Sequence, residues 1–261
     1  MNTTALLERF SLDGRVALIT GASGGIGSAL ARGLAEAGAH VAISGRDVGK
    51  LHTLADEITR SNGTASCFPS DMGEPDAPAR LAGDVLTHYK RVDILVNCVG
   101  MNRRMPIGEV TPAVYDTIMT TNLRSVFFLT QAIAPHIAAN GGGKIINIGS
   151  LTSSLALQHV SIYGMSKSAL AQLTKTMAVE WALAHIQVNC LCPGFIATEL
   201  TAPLWNDPTR NRWMLDRIPM KRAGQPADLV GMLLVLASSA SDYITGQSIY
   251  VDGGFTVGSQ W

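Results

Sequence analysis

Apolar residues fall along the chain in two alternating patterns. Short runs that are apolar almost throughout occupy residues 16–19, 41–43, 65–68, 92–97, 144–149, 186–191 and 248–251. Runs of this length, rich in β-branched residues and closed by glycine or polar positions, predict strands buried on both faces. Between them, apolar residues recur at helical spacing over 26–37, 48–61, 75–89, 114–140, 163–184 and 227–238. Gly141-Gly142-Gly143 is a firm stop for the longest of these helices. Parallel strands need a crossover, and a helix supplies it. The alternation therefore predicts an α/β fold, a single doubly wound domain over 1–261 with about seven mostly parallel strands flanked by helices. Residues 1–14 predict a short arm closing on Asp13-Gly14. Residues 199–224, with three prolines, two tryptophans and little periodicity, predict a mobile segment that covers a substrate.

The first strand runs into Thr20-Gly-Ala-Ser-Gly-Gly-Ile-Gly27, and a helix follows. Glycines there let the backbone approach a pyrophosphate, and the free N–H groups of a helix N-terminus attract it. Strand, glycine-rich turn, helix and strand are the context a dinucleotide-binding loop requires, which makes Gly21, Ser23, Gly25, Ile26 and Gly27 candidate cofactor contacts. The spacing is Gly-xxx-Gly-x-Gly, and a merely tight turn is the alternative. At the end of the second strand, Ser44 and Gly45 supply no acid to bind a ribose 2′-hydroxyl, whereas Arg46 can fork onto a 2′-phosphate. Asp47 reads as the N-cap of the next helix rather than as the ribose acid. This favours NADP(H), with NAD(H) as the alternative. Asp71 and Met72, at the exit of the third strand, are placed to hold an adenine ring.

A second stretch, from Ser150 to Lys167, lies between the fifth strand and the helix over 163–184. In that helix Tyr163 and Lys167 are one turn apart on one face. A phenol is a poor acid at neutral pH, since its unperturbed pKa is about 10, but an ammonium a few Å away favours the phenolate. Such a pair can exchange a proton near physiological pH. Ser150, at the mouth of the fifth strand, is placed to hydrogen-bond the same reacting oxygen. The spacing also arises by chance in helices, so the rest of the chain must carry the argument.

Composition narrows the classes. Lys+Arg and Asp+Glu are balanced at 20 each, giving a formal net charge of +0. Neither nucleic acid nor an anionic membrane is implied as a partner. The start of the chain lacks the basic and long apolar regions of a signal peptide, and no uncharged run approaches the roughly 20 residues that span a bilayer. Cys67, Cys98, Cys190 and Cys192 fall in or beside expected strands and read as packed thiols in a reducing compartment, the cytoplasm. No metal-ligand spacing occurs among cysteines or the six histidines, so no metal is expected.

The assembled residues resemble the short-chain dehydrogenase/reductase family from Gly14 to Gly254. Thr20 to Gly27 matches its cofactor loop. Asn122, Ser150, Tyr163 and Lys167 follow the order and approximate spacing of its catalytic tetrad. Pro193, Gly194, Ile196 and Thr198 match the segment that meets the nicotinamide. Where the family usually carries Asn-Asn-Ala-Gly, this chain has Asn97-Cys98-Val99-Gly100, which implies cofactor contacts at Asn97 and Gly100, altered packing near the cofactor and retained activity. Within the family, Phe10-Ser-Leu, Met101 to Arg104, Ala197 to Thr201 and Gly224-Gln-Pro resemble the gluconate 5-dehydrogenases and related sugar-acid reductases.

The resemblance implies a Rossmann fold and an NAD(P)-dependent interconversion of a secondary alcohol and a ketone. The substrate would be a small carbonyl or alcohol, most simply a sugar acid. Tyr163 would act as general acid/base, Lys167 would hold the nicotinamide ribose, Ser150 would polarise the carbonyl, and Asn122 would support a proton path to Lys167. It also implies a homotetramer. Arg103 and Arg104 stand where a guanidinium can clamp a substrate carboxylate, or else form a solvated pair; Trp205 and Trp213 either line the substrate pocket or simply pack. A 3-oxoacyl-[acyl-carrier-protein] reductase would use the same tetrad. A regulatory protein that binds cofactor without catalysis is the remote alternative.

Overall fold

A computed structural model describes residues 3–258. Its strands are β1 (Val16–Thr20), β2 (His40–Gly45), β3 (Thr64–Pro69), β4 (Ile94–Asn97), β5 (Gly143–Ile148), β6 (Ile186–Pro193) and β7 (Ser248–Val251). All seven join one parallel sheet in the order β3-β2-β1-β4-β5-β6-β7. The order reverses between β1 and β4, and the crevice outside their carboxyl ends is where such sheets bind ligands.

The helices are α1 (Thr3–Glu8), α2 (Gly25–Glu36), α3 (Val48–Arg60), α4 (Ala77–Tyr89), α5 (Pro112–Met119), α6 (Ser125–Ala139), α7 (Ser161–Trp181), α8 (Ala202–Trp205), α9 (Pro208–Arg217) and α10 (Val230–Ala237). Side chains alternate across each strand, so neighbouring residues serve different cores. Ala17 and Ile19 of β1 pack with Leu30 and Leu34 of α2, Leu51 of α3 and Leu233 of α10. Leu18, between them, joins Leu81 of α4, Leu129 and Ile133 of α6 and Met177 of α7 on the opposite face. Each fully buried Leu or Ile contributes about 1.5–3 kcal/mol.

All seven strands lie where the apolar runs place them. The arm is partly helical through α1; Met1 and Asn2, at its start, lie outside the described residues. Asp47 caps α3, its Oδ1 accepting from the Lys50 N–H at 3.0 Å. Gly141 and Gly142 end α6 at φ of +89° and +105°. One expectation needs correction. The helix over 114–140 begins at Pro112, behind the side-chain cap of Thr111, and passes through a π segment, Thr120–Arg124, before α6. Residues 199–224 hold α8 and α9, each with a proline in its first turn. Among the cysteines, Cys190 and Cys192 are buried and Cys67 and Cys98 half-buried; all four are free. Among the described residues no helix is long and apolar enough to cross a membrane.

Candidate active site

The turn after β1 is shaped by close backbone approaches. Gly21 takes φ +70°, and a Cβ there would lie 3.0 Å from the backbone of Cys98 and Val99. A Cβ on Gly27 would come 2.2 Å from the Gly21 carbonyl, so α2 can start here only with glycine. Thr20 Oγ1 accepts from the N–H groups of Cys98 and Val99 at 3.2 and 3.3 Å, tying this turn to the end of β4. The helix's N-cap, Gly24, offers no side chain, so its first N–H groups stay available to an anion. Ser23 borders Gly45, with Oγ 2.6 Å from where a Cβ on Gly45 would stand. Ile26 packs onto the core. These features fit a dinucleotide pyrophosphate.

At the exit of β2 the Arg46 side chain is 74% exposed, with Nη1 3.9 Å from Asp71 Oδ2. Asp71 also accepts from the Gly73 N–H at 2.9 Å, and Met72 beside it is buried. Asp47 is engaged in capping α3, which leaves Arg46 as the cation beside Asp71 at this corner.

Lys167 is buried on α7, and its Nζ donates to the Ile148 carbonyl at 2.7 Å and stands 5.9 Å from the centre of the Tyr163 ring. Ser150 leaves β5 in an extended conformation and caps the 3-10 turn Leu151–Ser153, Oγ accepting from the Thr152 N–H at 3.1 Å. Ser153 Oγ donates to the Lys167 carbonyl at 3.1 Å and accepts from the Ser150 N–H at 3.3 Å, which fixes that turn against α7.

Asn122 lies in the π segment and is fully buried. Its Oδ1 accepts from the Met101 N–H at 2.8 Å; its Nδ2 donates to the Met101 carbonyl at 2.9 Å and to Ser166 Oγ at 3.1 Å. A Cβ on Gly100 would lie 3.4 Å from Lys167 Nζ and 3.7 Å from Asn122 Oδ1, so these three residues meet.

Asn97, at the end of β4, is buried. Its side chain points between strands, donating to Thr130 Oγ1 at 3.0 Å and to Asn147 Oδ1 at 2.9 Å. Asn147 in turn donates to Thr174 Oγ1 at 2.9 Å. The partners Asn147, Thr130 and Thr174 were not foreseen, though Asn97 and Asn147 share a register position in adjoining buried strands. Two amides at the ends of otherwise apolar strands were the available signal.

A family model described as enoyl-(acyl carrier protein) reductase matches residues 21–256. The chain belongs to the short-chain dehydrogenase/reductase family. It is 40% identical over 250 residues to gluconate 5-dehydrogenase of Gluconobacter oxydans, covering 96% of this chain and 98% of that one. The 2-dehydro-3-deoxy-D-gluconate 5-dehydrogenase of Escherichia coli is also 40% identical, over 251 residues with the same coverage. A crystal structure of a gluconate 5-dehydrogenase from Burkholderia cenocepacia, in complex with NADP and tartrate, superposes with a TM-score of 0.93 at 42% identity, covering 97% of this chain and 99% of that one.

In this short-chain dehydrogenase/reductase, β6 ends at Pro193, and a Cβ on Gly194 would fall 2.6 Å from the Asp252 Cα. Phe195 next to it meets Trp205, Trp213 and Phe255 edge-on at 6.5, 6.4 and 5.2 Å. Trp205 Nε1 is buried without a partner. Ile196 is buried and bridges to Gly224, while the Thr198 N–H donates to Thr201 Oγ1 at 2.9 Å. Arg103 and Arg104 are both exposed, yet differ in surroundings. The Arg104 guanidinium is held below its ordinary range, first by desolvation and then by the charge of Arg210, against an opposing influence from Tyr163. Desolvation pushes the Cys98 thiol up to about 12, so it packs rather than reacts. No cluster of potential metal ligands occurs among the described residues.

Proposed function

We propose that this chain is an NADP(H)-dependent oxidoreductase that interconverts a secondary alcohol and a ketone on a sugar acid, in the manner of gluconate 5-dehydrogenases. The observation that carries the reaction type is the buried Lys167 ammonium, set beside Gly100 and Asn122 and facing the Tyr163 ring at 5.9 Å. Relatives that act on gluconate or a dehydro-deoxy-gluconate, each about two-fifths identical over nearly the whole chain, support the substrate class.

The residues fit the cofactor. Gly21 to Gly27 with the first turn of α2 would hold the pyrophosphate, Arg46 the 2′-phosphate, Asp71 and Met72 the adenine end, and Gly100, Lys167 and the segment from Pro193 through Thr198 the nicotinamide half. When bound, NADPH supplies the hydride. In the reductive direction Ser150 Oγ donates a hydrogen bond to the substrate carbonyl oxygen, and Tyr163 delivers a proton to that oxygen as negative charge develops on it. Lys167 stabilises the charge left on Tyr163, while the Ile148 carbonyl and the Ser153 bond to its backbone hold it in place. Asn122 pins Met101, and with it the approach to Arg104. Arg104, whose charge is influenced by Tyr163, would bind the substrate carboxylate. Residues 199–224, folded as α8 and α9, would cover the substrate, with Trp205 Nε1 as a donor to it.

The assembly we propose is a homotetramer in the cytoplasm. Its support is an apolar groove of about 450 Å³ on α5, α6 and α7, lined by Met119, Leu123, Phe127, Phe128 and Leu173 among others, together with four thiols kept free.

The deciding experiment follows oxidation of NADPH and NADH against keto-gluconates, other keto-sugars and 3-oxoacyl thioesters. Turnover of a keto-sugar acid with preference for NADPH is expected. Turnover of the thioesters alone would overturn the sugar-acid reading, and cofactor binding without turnover of any substrate would overturn catalysis.

A further inference from the structure

The covering segment is fastened at its root to the two elements that border the dinucleotide groove. Thr198 lies on the first turn of α2, where a Cβ on Gly25 would fall 3.0 Å from its Cγ2. Glu199, the next residue, reaches across to α3, its Oε2 accepting from Lys50 Nζ at 2.8 Å. Lys50 stands in the first turn of α3, its own N–H bound to Asp47, and is 149 residues distant in sequence from Glu199. Two consecutive residues therefore touch the pyrophosphate end of the groove and its ribose corner. The root is stiff: Thr201 Oγ1 donates to the Ile196 carbonyl at 2.6 Å, and the Ala197 N–H donates to the Gly224 carbonyl at 2.8 Å. A pull on Glu199 is thus passed to residues 196–205. The bond to Glu199 raises Lys50, and the bond to Lys50 lowers Glu199, from their ordinary ranges.

We propose that Lys50 and Glu199 are positioning residues for the cofactor, an ion-pair clasp that closes the root of the covering segment over the dinucleotide groove and limits the rate at which cofactor leaves. This rests on the dinucleotide reading of that groove. The side chains are 52% and 89% exposed, so the pair is weak and screened by salt, as suits a contact that opens in every catalytic cycle.

The test is stopped-flow displacement of bound NADPH, and separately NADH, from the full chain without substrate. The proteins are the native one, Lys50→Ala, Glu199→Gln, the double variant, and the charge swap Lys50→Glu with Glu199→Lys. Each single change should raise the dissociation rate roughly two- to fivefold, with the double variant no faster than either single. The charge swap should return the rate towards native. Molar salt, with a screening length of about 3 Å, should bring native protein up to the level of the variants. NADH should respond as NADPH does, because the clasp spares the 2′-phosphate. Additive effects in the double variant, an unchanged rate in Glu199→Gln, or an effect of Lys50→Ala on NADPH alone would overturn the clasp; the last would make Lys50 a phosphate ligand. Unchanged release with normal turnover removes the clasp and leaves the proposed function standing, whereas a native protein that binds neither cofactor removes both.

Discussion

Replacing Asn122 with alanine tests whether the π segment builds the site. The side chain is fully buried and makes three hydrogen bonds, two of them to the N–H and carbonyl of Met101. Alanine leaves both backbone groups and Ser166 Oγ without that partner. At about 1–3 kcal/mol for each unsatisfied backbone group, and with partial access of water to a half-buried Met101, the loss should be about 2–4 kcal/mol. For a chain of this length that corresponds to a melting temperature lower by roughly 4–8 °C. Met101 joins Gly100, which borders Lys167, to the loop bearing Arg104, so its release should also lower kcat by about 10- to 100-fold. Urea unfolding and steady-state reduction of the best keto-acid measure the two effects. Asn122→Asp retains the acceptor for the Met101 N–H but loses both donors, and should fall on the same side of native. An Asn122→Ala protein with native stability and native kcat would refute the reasoning, because the three bonds would then have no bearing on the site.

Other outcomes follow from the same geometry. Tyr163→Phe should lower kcat by roughly 10²–10⁴-fold, the worth of a positioned proton donor, while cofactor affinity measured by fluorescence titration stays near native. Arg46→Ala should weaken NADPH about 10- to 100-fold and leave NADH almost unchanged, as a competitive titration of both would show. Asp93 is buried, and desolvation pushes its carboxyl up, but the bond from Arg91, the Val16 N–H at 2.9 Å and the charges of Arg91 and Arg15 outweigh this and hold it below its ordinary range. Asp93→Asn should therefore cost about 1–2 kcal/mol near neutrality, a value discounted for the half-exposed guanidiniums. Because the folded carboxyl is the lowered one, that deficit is fully present above the unfolded value of about 3.9 and shrinks as pH falls below it, a trend urea midpoints at several pH values would track.

The strands were readable because burial on both faces turns each into a continuous apolar run, which no surface element imitates. The capping role of Asp47 was readable too, since an acid two residues past a strand and one before a helix has a local use. Asn97 was harder. Its amide is turned towards Asn147, and only the pairing register shows that the two meet. The helices within residues 199–224 left a quieter trace. Asp207-Pro208 is a cap followed by a first-turn proline, a sound start signal, but Met214 is the buried residue of α9, so the apolar rhythm that marks other helices is missing. Arg104 and Arg103 are indistinguishable in sequence; the nearness of Arg210 and Tyr163 to Arg104 belongs to the fold alone.

The π segment Thr120–Arg124 has a geometric effect on the whole rod formed by α5 and α6. A π turn takes up one residue more than an α turn, so the residues beyond it are out of angular phase with those before it. Were the same residues wound as a uniform α-helix, the extra one would no longer be taken up and everything after it would swing by about 100° about the axis. Phe127 and Phe128, now partly exposed, would sweep away from the groove they share with Met119, and Asn122 would lose its aim at Met101. The single extra residue works as a gear tooth: it lets one rod present an amide inward at mid-length and aromatic rings outward a turn later, two orientations that an unbroken α-helix of the same sequence would have to choose between.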